Sequence, residues 1–528
     1  MSNPNPKERW SSRLGVILVV ASCAIGLGNF LRFPGQAAKN GGGAFMIPYL
    51  VGFVFLGIPV CLSEWVMGRI GGKRGHSSRA IFSAFLPDGF ALRMSSAIAI
   101  IIPTLIYVYY VFIESWCLAY AVDFFSRAGQ AANHGMDIKQ VVADSGLRFE
   151  TMTGAKANGA ALGSSIIWFL IFCYLLNYFI VYRGIAKGLE KLAKIAAPIL
   201  FICSSVLLFR VLSLDGIMNG LGKMWNPDWN ALAKADVWVA AAGQIFFSLS
   251  VGFGIVLVFT SYLTENDDVT LSGLTAASLN EFVEIVFGGM ITIPVWFLFL
   301  AGSSSDFSTF SLGFTALPAI FSQMPFGNIF AGIWFTTLFI AAITSSVTML
   351  QPAINFLEED FHLHRRYSSA ILFIFTSTLT AGIVYYSRDL LALDYTDFWV
   401  GTMLIYILAT IQVIIYGWVI GPKKGREESE KGALWSIPKT FDFVIKYITP
   451  VILILILAVF ISQNLTEYIN KMSPEYMQMN AAKYKMTPAE AYENAVVARS
   501  VFFVILGILG MTFVMVHFGI RKNRSAHE

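Results

Sequence analysis

Residues 21–35 read Ala21-Ser22-Cys23-Ala24-Ile25-Gly26-Leu27-Gly28-Asn29-Phe30-Leu31-Arg32-Phe33-Pro34-Gly35. The stretch lies inside an apolar run long enough for a helix, yet two glycines in three residues interrupt it. Each glycine weakens a helix by up to ~1 kcal/mol relative to alanine. A second stretch repeats the pattern: Val251-Gly252-Phe253-Gly254, preceded by Ser248 and Ser250 as the first is preceded by Ser22 and Cys23. Broken backbone inside lipid is tolerable only where its freed N–H and C=O groups face protein or a water-filled cavity. Helix packing through small residues is the alternative reading of either glycine pair alone. Two matched pairs favour a binding site between two broken helices.

The rest of the 528-residue chain supplies the lipid-embedded setting. Hydrophobic residues make up 56% and charged residues 13%, about half the charged share of a soluble domain. About twelve apolar stretches could span a bilayer as helices: 14–37, 44–67, 94–124, 165–181, 195–212, 237–262, 279–301, 328–357, 368–386, 398–420, 443–461 and 497–520. The short alternating segments of a β-barrel are absent. The reading is an all-α integral membrane protein forming a single membrane domain over 1–528. The first stretch is kept as a span because no cleavage pattern follows it. Basic clusters recur after even-numbered stretches, around Arg69, Lys187, Arg365 and Lys423, and at both ends of the chain. By the positive-inside rule both termini are expected in the cytoplasm of a multi-pass protein of the cell (inner) membrane. The five cysteines lack metal-ligand spacing. No nucleophile–base or metal constellation suggests an enzyme, and a nucleic-acid partner is not expected.

The two glycine sites fall in the first and sixth stretches. Five spans separate them, and an odd offset turns one copy upside down relative to the other. Matched interruptions in inverted halves point to a midplane site. Segment 314–321 is too short to span and too apolar to float, and is read as a re-entrant cap.

The runs GLGNFLRFPGQAAKNGGGAFMIPY, YYVFIESW, GQIFFSLSVGFG, LSGLTAASLNE, TALPAIFSQ and ITSSVTMLQP carry a family likeness. With them the chain resembles the neurotransmitter:sodium symporter family, most closely its bacterial leucine-transporter branch. The resemblance implies five-plus-five inverted repeats (10–213 and 235–421), discontinuous first and sixth helices, and two additional helices (440–520). It also implies sodium-coupled symport of a neutral, apolar amino acid by alternating access.

The substrate site so implied comprises Cys23, Ala24, Gly26, Gly28, Ile106, Tyr110, Phe247, Ser248, Ser250, Phe253, Ser345 and Met349. Monoamine carriers place an aspartate at the position of Gly26; glycine leaves room for the substrate's own carboxylate. Two sodium sites carry over: Ala24, Asn29, Ser248 and Asn280 in the first; Ser22, Ile25, Ala341, Thr344 and Ser345 in the second. Arg32 and Asp397 match an outer gate. Lys7, Glu359, Trp10, Ser261 and Tyr262 match an inner one. Glu284 stands where animal members bind chloride, which implies chloride independence. Cys23 departs from the leucine transporter, which has asparagine there. Rival readings are a sodium-independent exchanger or proton-coupled transporter on the same fold, and an amino-acid sensor that does not transport. A homodimer is compatible with the family.

Overall fold

The computed structural model describes residues 10–78, 80–129, 137–300 and 309–525. Among these residues the architecture is helical throughout. Nine helices are long and apolar enough to cross a membrane: Gly43–Lys73, Phe90–Ser126, Ile185–Leu212, Val269–Leu300, Gly327–Phe361, Arg365–Tyr385, Arg388–Ile420, Thr440–Lys471 and Pro488–Arg521. Arg13–Ala24 and Gly28–Lys39 form a tenth span bent by 45°. The shorter apolar helix Ile166–Tyr182 and the pair Ala235–Ser248 and Ile255–Thr260 stand where the fourth and sixth apolar stretches of the sequence fall. In chain order, Arg13–Lys39 is span one, Ile166–Tyr182 span four, and the Ala235–Thr260 pair span six.

Several helices outrun their apolar stretches. Span twelve starts at Pro488, nine residues before the apolar core read from sequence. Its first turn contains Ala489-Glu490-Ala491, good helix formers that need no lipid around them. Hydropathy marks the embedded length of a helix, and propensity marks its full length.

Span three, Phe90–Ser126, is the centre of the bundle. Its most apolar window is wholly buried within the protein, whereas that of span twelve is 17% buried. Span three therefore packs on other helices along its length, and span twelve offers most of its surface to the surroundings. The apolar segment 312–322 is helical, and Leu312–Phe321 is buried. Phe314 packs against Tyr120, Trp116 and Phe335, so this short element caps span three.

Buried charges in such a bundle need partners. Glu114 on span three accepts hydrogen bonds from Ser346 at 2.6 Å and Asn177 at 3.2 Å, tying spans three, four and eight together. Arg69 is fully buried at the far end of span two. Its guanidinium meets Glu428 Oε1 at 3.1 Å, donates to the carbonyls of Asp267 (2.8 Å) and Lys431 (3.2 Å), and also reaches the Glu428 carbonyl. This arginine fastens the polar helix Pro422–Glu430, which follows span ten, onto spans two and seven.

Candidate functional site

Both glycine sites are breaks. In span one the helix stops at Ala24, and Ile25 is extended, with φ −69° and ψ 92°. In span six the chain leaves the helix after Ser248 and resumes at Ile255. Gly252 and Gly254 there take φ of +77° and +83°, a region costly for any residue with a Cβ. The freed Gly252 N–H donates to Glu64 Oε1 at 3.1 Å, so a buried carboxylate on span two takes up the donor that the break exposes.

Span eight lies against the first break. The hydroxyl of Ser345 sits 3.2 Å from the carbonyl of Ser22, 3.1 Å from Cys23, 3.4 Å from Ile25 and 3.1 Å from Ala341. One hydroxyl proton cannot serve four acceptors. Such a converging set of carbonyl and hydroxyl oxygens suits a hard cation. Thr344 is adjacent, its hydroxyl turned to its own helix at Ile340 (2.9 Å) and Ala341 (3.1 Å). Among the described residues, no group of three or more His, Cys, Asp or Glu could hold a metal ion. The oxygens gathered about Ser345 are neutral carbonyls.

A second polar cluster joins spans one, six and seven. Asn29 Nδ2 donates to Asn280 Oδ1 at 2.9 Å, and Asn29 Oδ1 accepts from Gly26 N at 2.9 Å. Asn280 donates to Ser248 Oγ at 2.7 Å. Glu284 accepts from Gln244 at 2.5 Å, from Asn29 at 3.4 Å, and from Ser248. Every one of these side chains is buried. Tyr49 lies within electrostatic reach of both Glu284 and Glu281. The second carboxylate, Glu281, escaped the sequence reading because it sits inside the matched run LSGLTAASLNE without a role of its own.

Between the clusters, Leu27 N donates to the Tyr110 hydroxyl at 3.0 Å. A Cβ added at Gly26 would lie 2.7 Å from that hydroxyl and 2.9 Å from Ser345 Oγ, and one at Gly28 would lie 2.8 Å from the Phe247 ring. Phe247 and Phe253 meet edge to face, their centroids 6.4 Å apart. Ser250 Oγ donates to the Cys23 carbonyl at 3.3 Å. The Cys23 thiol lies within hydrogen-bonding reach of Thr348 and Ser250. Ile106 and Met349 are buried; Ala24 is 8% exposed.

Above Phe247, Arg32 stacks over the ring at 4.3 Å. Asp397 instead accepts from the Tyr109 hydroxyl at 2.6 Å. Among the described ion pairs, Arg32 and Asp397 do not meet directly; an aromatic layer carries the cation and a tyrosine holds the anion. Tyr109 was missed in the sequence, where only the second tyrosine of the Tyr109-Tyr110 doublet was singled out. At the opposite end, Trp10 Nε1 donates to the Phe259 carbonyl at 3.1 Å, and the two rings pack edge to face. Tyr262 accepts from Asn355 at 2.7 Å, and the Ser261 hydroxyl bonds Val258. Glu359 accepts from Ser77 N at 2.7 Å and from the Ser77 hydroxyl. Lys7 lies outside the described residues.

The model of the sodium:neurotransmitter symporter family matches residues 7–144 and 147–516, and the chain belongs to that family. An uncharacterised sodium-dependent transporter of Methanocaldococcus jannaschii is 30% identical over 471 residues, covering 85% of this chain and 89% of the relative. The sodium- and chloride-dependent GABA transporter 2 of Mus musculus is 26% identical over 448 residues, covering 79% and 73%. Among solved structures, MhsT in complex with L-phenylalanine superposes with a TM-score of 0.73 at 26% identity, covering 86% of this chain and 99% of that one. The fold is thus the leucine-transporter fold. The protein is a multi-pass, sodium-coupled membrane transporter of a small molecule, not an enzyme.

Proposed function

We propose that this transporter carries a neutral, apolar amino acid together with two sodium ions, and does so without chloride. The observation that carries the reading is the close packing at Gly26. The Leu27 N–H, the Tyr110 hydroxyl and the Ser345 hydroxyl meet there so tightly that not even a Cβ fits, so the chain can place no side-chain carboxylate at this point and the substrate brings its own. A substrate carboxylate needs N–H and O–H donors and positive helix ends, which the break offers. Phe247, Phe253, Ile106 and Met349 then supply apolar surface for the substrate side chain, with Ser248, Ser250 and Cys23 at its edge. The L-phenylalanine held by MhsT supports an amino-acid ligand.

In this reading one sodium lies among Ala24, Asn29, Ser248, Asn280 and the substrate carboxylate. The other lies among Ser22, Ile25, Ala341, Thr344 and Ser345. Glu284, ringed by Gln244, Ser248 and Asn29, supplies the negative charge that a chloride would otherwise bring. Repeats 10–213 and 235–421 rock about the site, and helices within 440–520 stand outside them. Arg32 and Asp397 close the outer side; Trp10, Ser261, Tyr262, Glu359 and Lys7 close the inner side. Both termini face the cytoplasm from the cell membrane, and a homodimer is compatible with this arrangement.

The test is a thermal-shift screen of the purified protein against the twenty amino acids, with sodium or with choline. A ligand that binds the folded state raises its stability by mass action. Stabilisation by neutral apolar amino acids only in sodium is the expected result. Equal stabilisation in choline would refute sodium coupling of binding, and silence toward every amino acid would refute the substrate class.

A further inference from the structure

We propose that Glu190 is a latch that holds the first half of span one against span five, and that this latch is coupled to the sodium site at the first break. The inference rests on the alternating-access reading above. Glu190 stands at the start of span five yet is 1% exposed. It accepts from Ser11 N at 3.0 Å, from Ser12 Oγ at 3.2 Å and from the Ser11 hydroxyl. Lys194 pairs with it at 2.7 Å and also donates to Ser11 Oγ at 3.2 Å. Room for the carboxylate is built into the facing helix: a Cβ at Gly15 would overlap the Glu190 carboxyl group. On the other flank of the same turn, Arg13 pairs with Asp268 at 3.3 Å and donates to Ser272 at 3.3 Å.

A capping role does not account for this. Ser12 already caps the helix, its hydroxyl accepting from Gly15 N at 3.0 Å. The Ser11 N–H that Glu190 takes lies before the cap and is not one of the helix's own unsatisfied donors. What Glu190 holds is the position of Arg13–Ala24 against span five. That helix is a rigid rod whose other end carries the Ser22 and Cys23 carbonyls facing Ser345. Swinging the rod open at the Glu190 end draws those carbonyls away from Ser345. Latch and sodium site are therefore coupled, and the coupling is reciprocal: sodium favours the latched rod, and the latch tightens sodium binding. Glu190 is a positioning residue, since it touches neither ion nor substrate.

Hydrogen exchange on the full chain in nanodiscs tests the latch, because amide exchange reports local opening segment by segment. In Glu190→Ala and in Gly15→Ala, exchange of residues 13–24 is expected to rise about tenfold. The sodium concentration that half-protects this segment should rise with it, by a coupling within the roughly 5- to 150-fold range of linked sites. Glu190→Gln keeps an acceptor and should recover part of the protection. Ser12→Ala removes the cap together with only one of the hydrogen bonds that Glu190 accepts from this turn, and should shift the sodium dependence less than Glu190→Ala. Unchanged exchange and sodium dependence in Glu190→Ala and Gly15→Ala overturn the proposal. So does an equal effect of Ser12→Ala, or a uniform rise that extends to Thr440–Lys471, outside the two repeats, which marks a folding residue only. Sodium protection in the unaltered chain reports separately on sodium coupling, so failure of that reading and failure of the latch are distinguishable.

Discussion

Replacing Ser345 with alanine removes one oxygen from the place where four carbonyls converge. The hydroxyl lies 3.1–3.4 Å from the carbonyls of Ser22, Cys23, Ile25 and Ala341. The methyl-sized replacement fits the same space, so the fold should survive. A polar contact to a charged partner is worth about 1.5–3 kcal/mol. At about 1.4 kcal/mol per decade, sodium should bind roughly 10- to 150-fold more weakly at that site. The assay needs no substrate: melting temperature is followed against sodium, with choline holding ionic strength constant. At a sodium concentration near 100 times the native dissociation constant, stabilisation is about 2.7 kcal/mol. A tenfold weaker site leaves about 1.4 kcal/mol by the same relation, a difference well within reach of a melting curve. Ser346→Ala is the control, because that hydroxyl bonds Glu114 at 2.6 Å instead. It should lower the melting temperature without moving the sodium midpoint. A midpoint shift below about twofold for Ser345→Ala, or the same shift in both variants, would refute the assignment; twofold is only ~0.4 kcal/mol on the same scale.

Three further outcomes are expected. Tyr110→Phe removes the hydroxyl that accepts from Leu27 N at 3.0 Å; binding of the amino acid should weaken about tenfold or more, while sodium stabilisation without substrate stays unchanged. Glu284→Ser takes the charge from beside Ser248 and Gln244, and uptake by this variant in proteoliposomes should become dependent on external chloride; equal uptake in gluconate would contradict the role given to Glu284. Burial opposes ionisation of Glu428, but hydrogen bonds from Lys431 and Lys73 and the charge of Arg69 outweigh it and hold its carboxyl below the ordinary carboxylate range. A lowered folded-state value stabilises above the unfolded value, about 4.3 for glutamate, and that contribution is lost as pH falls through the folded value. Acid melting curves should therefore drop below about pH 4 in the native chain, and this component should be absent in Glu428→Gln.

The membrane class, most of the spans and the positions of both breaks were legible in the sequence, because they follow from local composition. Lipid requires about twenty apolar residues per span, and paired glycines disrupt a helix wherever they fall. The resemblance extended that reading to Ser345, Asn280 and Tyr110, and these side chains do gather about the breaks. Glu190 was not legible. In the chain it stands among Lys187, Lys191 and Lys194 and reads as one charge in a basic cluster; only folding carries it across 179 positions to Ser11. Tyr109 and Asp397 are likewise 288 positions apart, and nothing in a doublet of tyrosines says which one faces the anion. Arg32 matched a gate by motif, yet its present neighbour is the Phe247 ring, since a charge pair's separation depends on how the helices stand at that moment. Periodicity and composition act over a few turns and fix what each helix is. Which side chains meet across helices is decided by rigid-body packing of the bundle, a property of the whole chain that no local window contains.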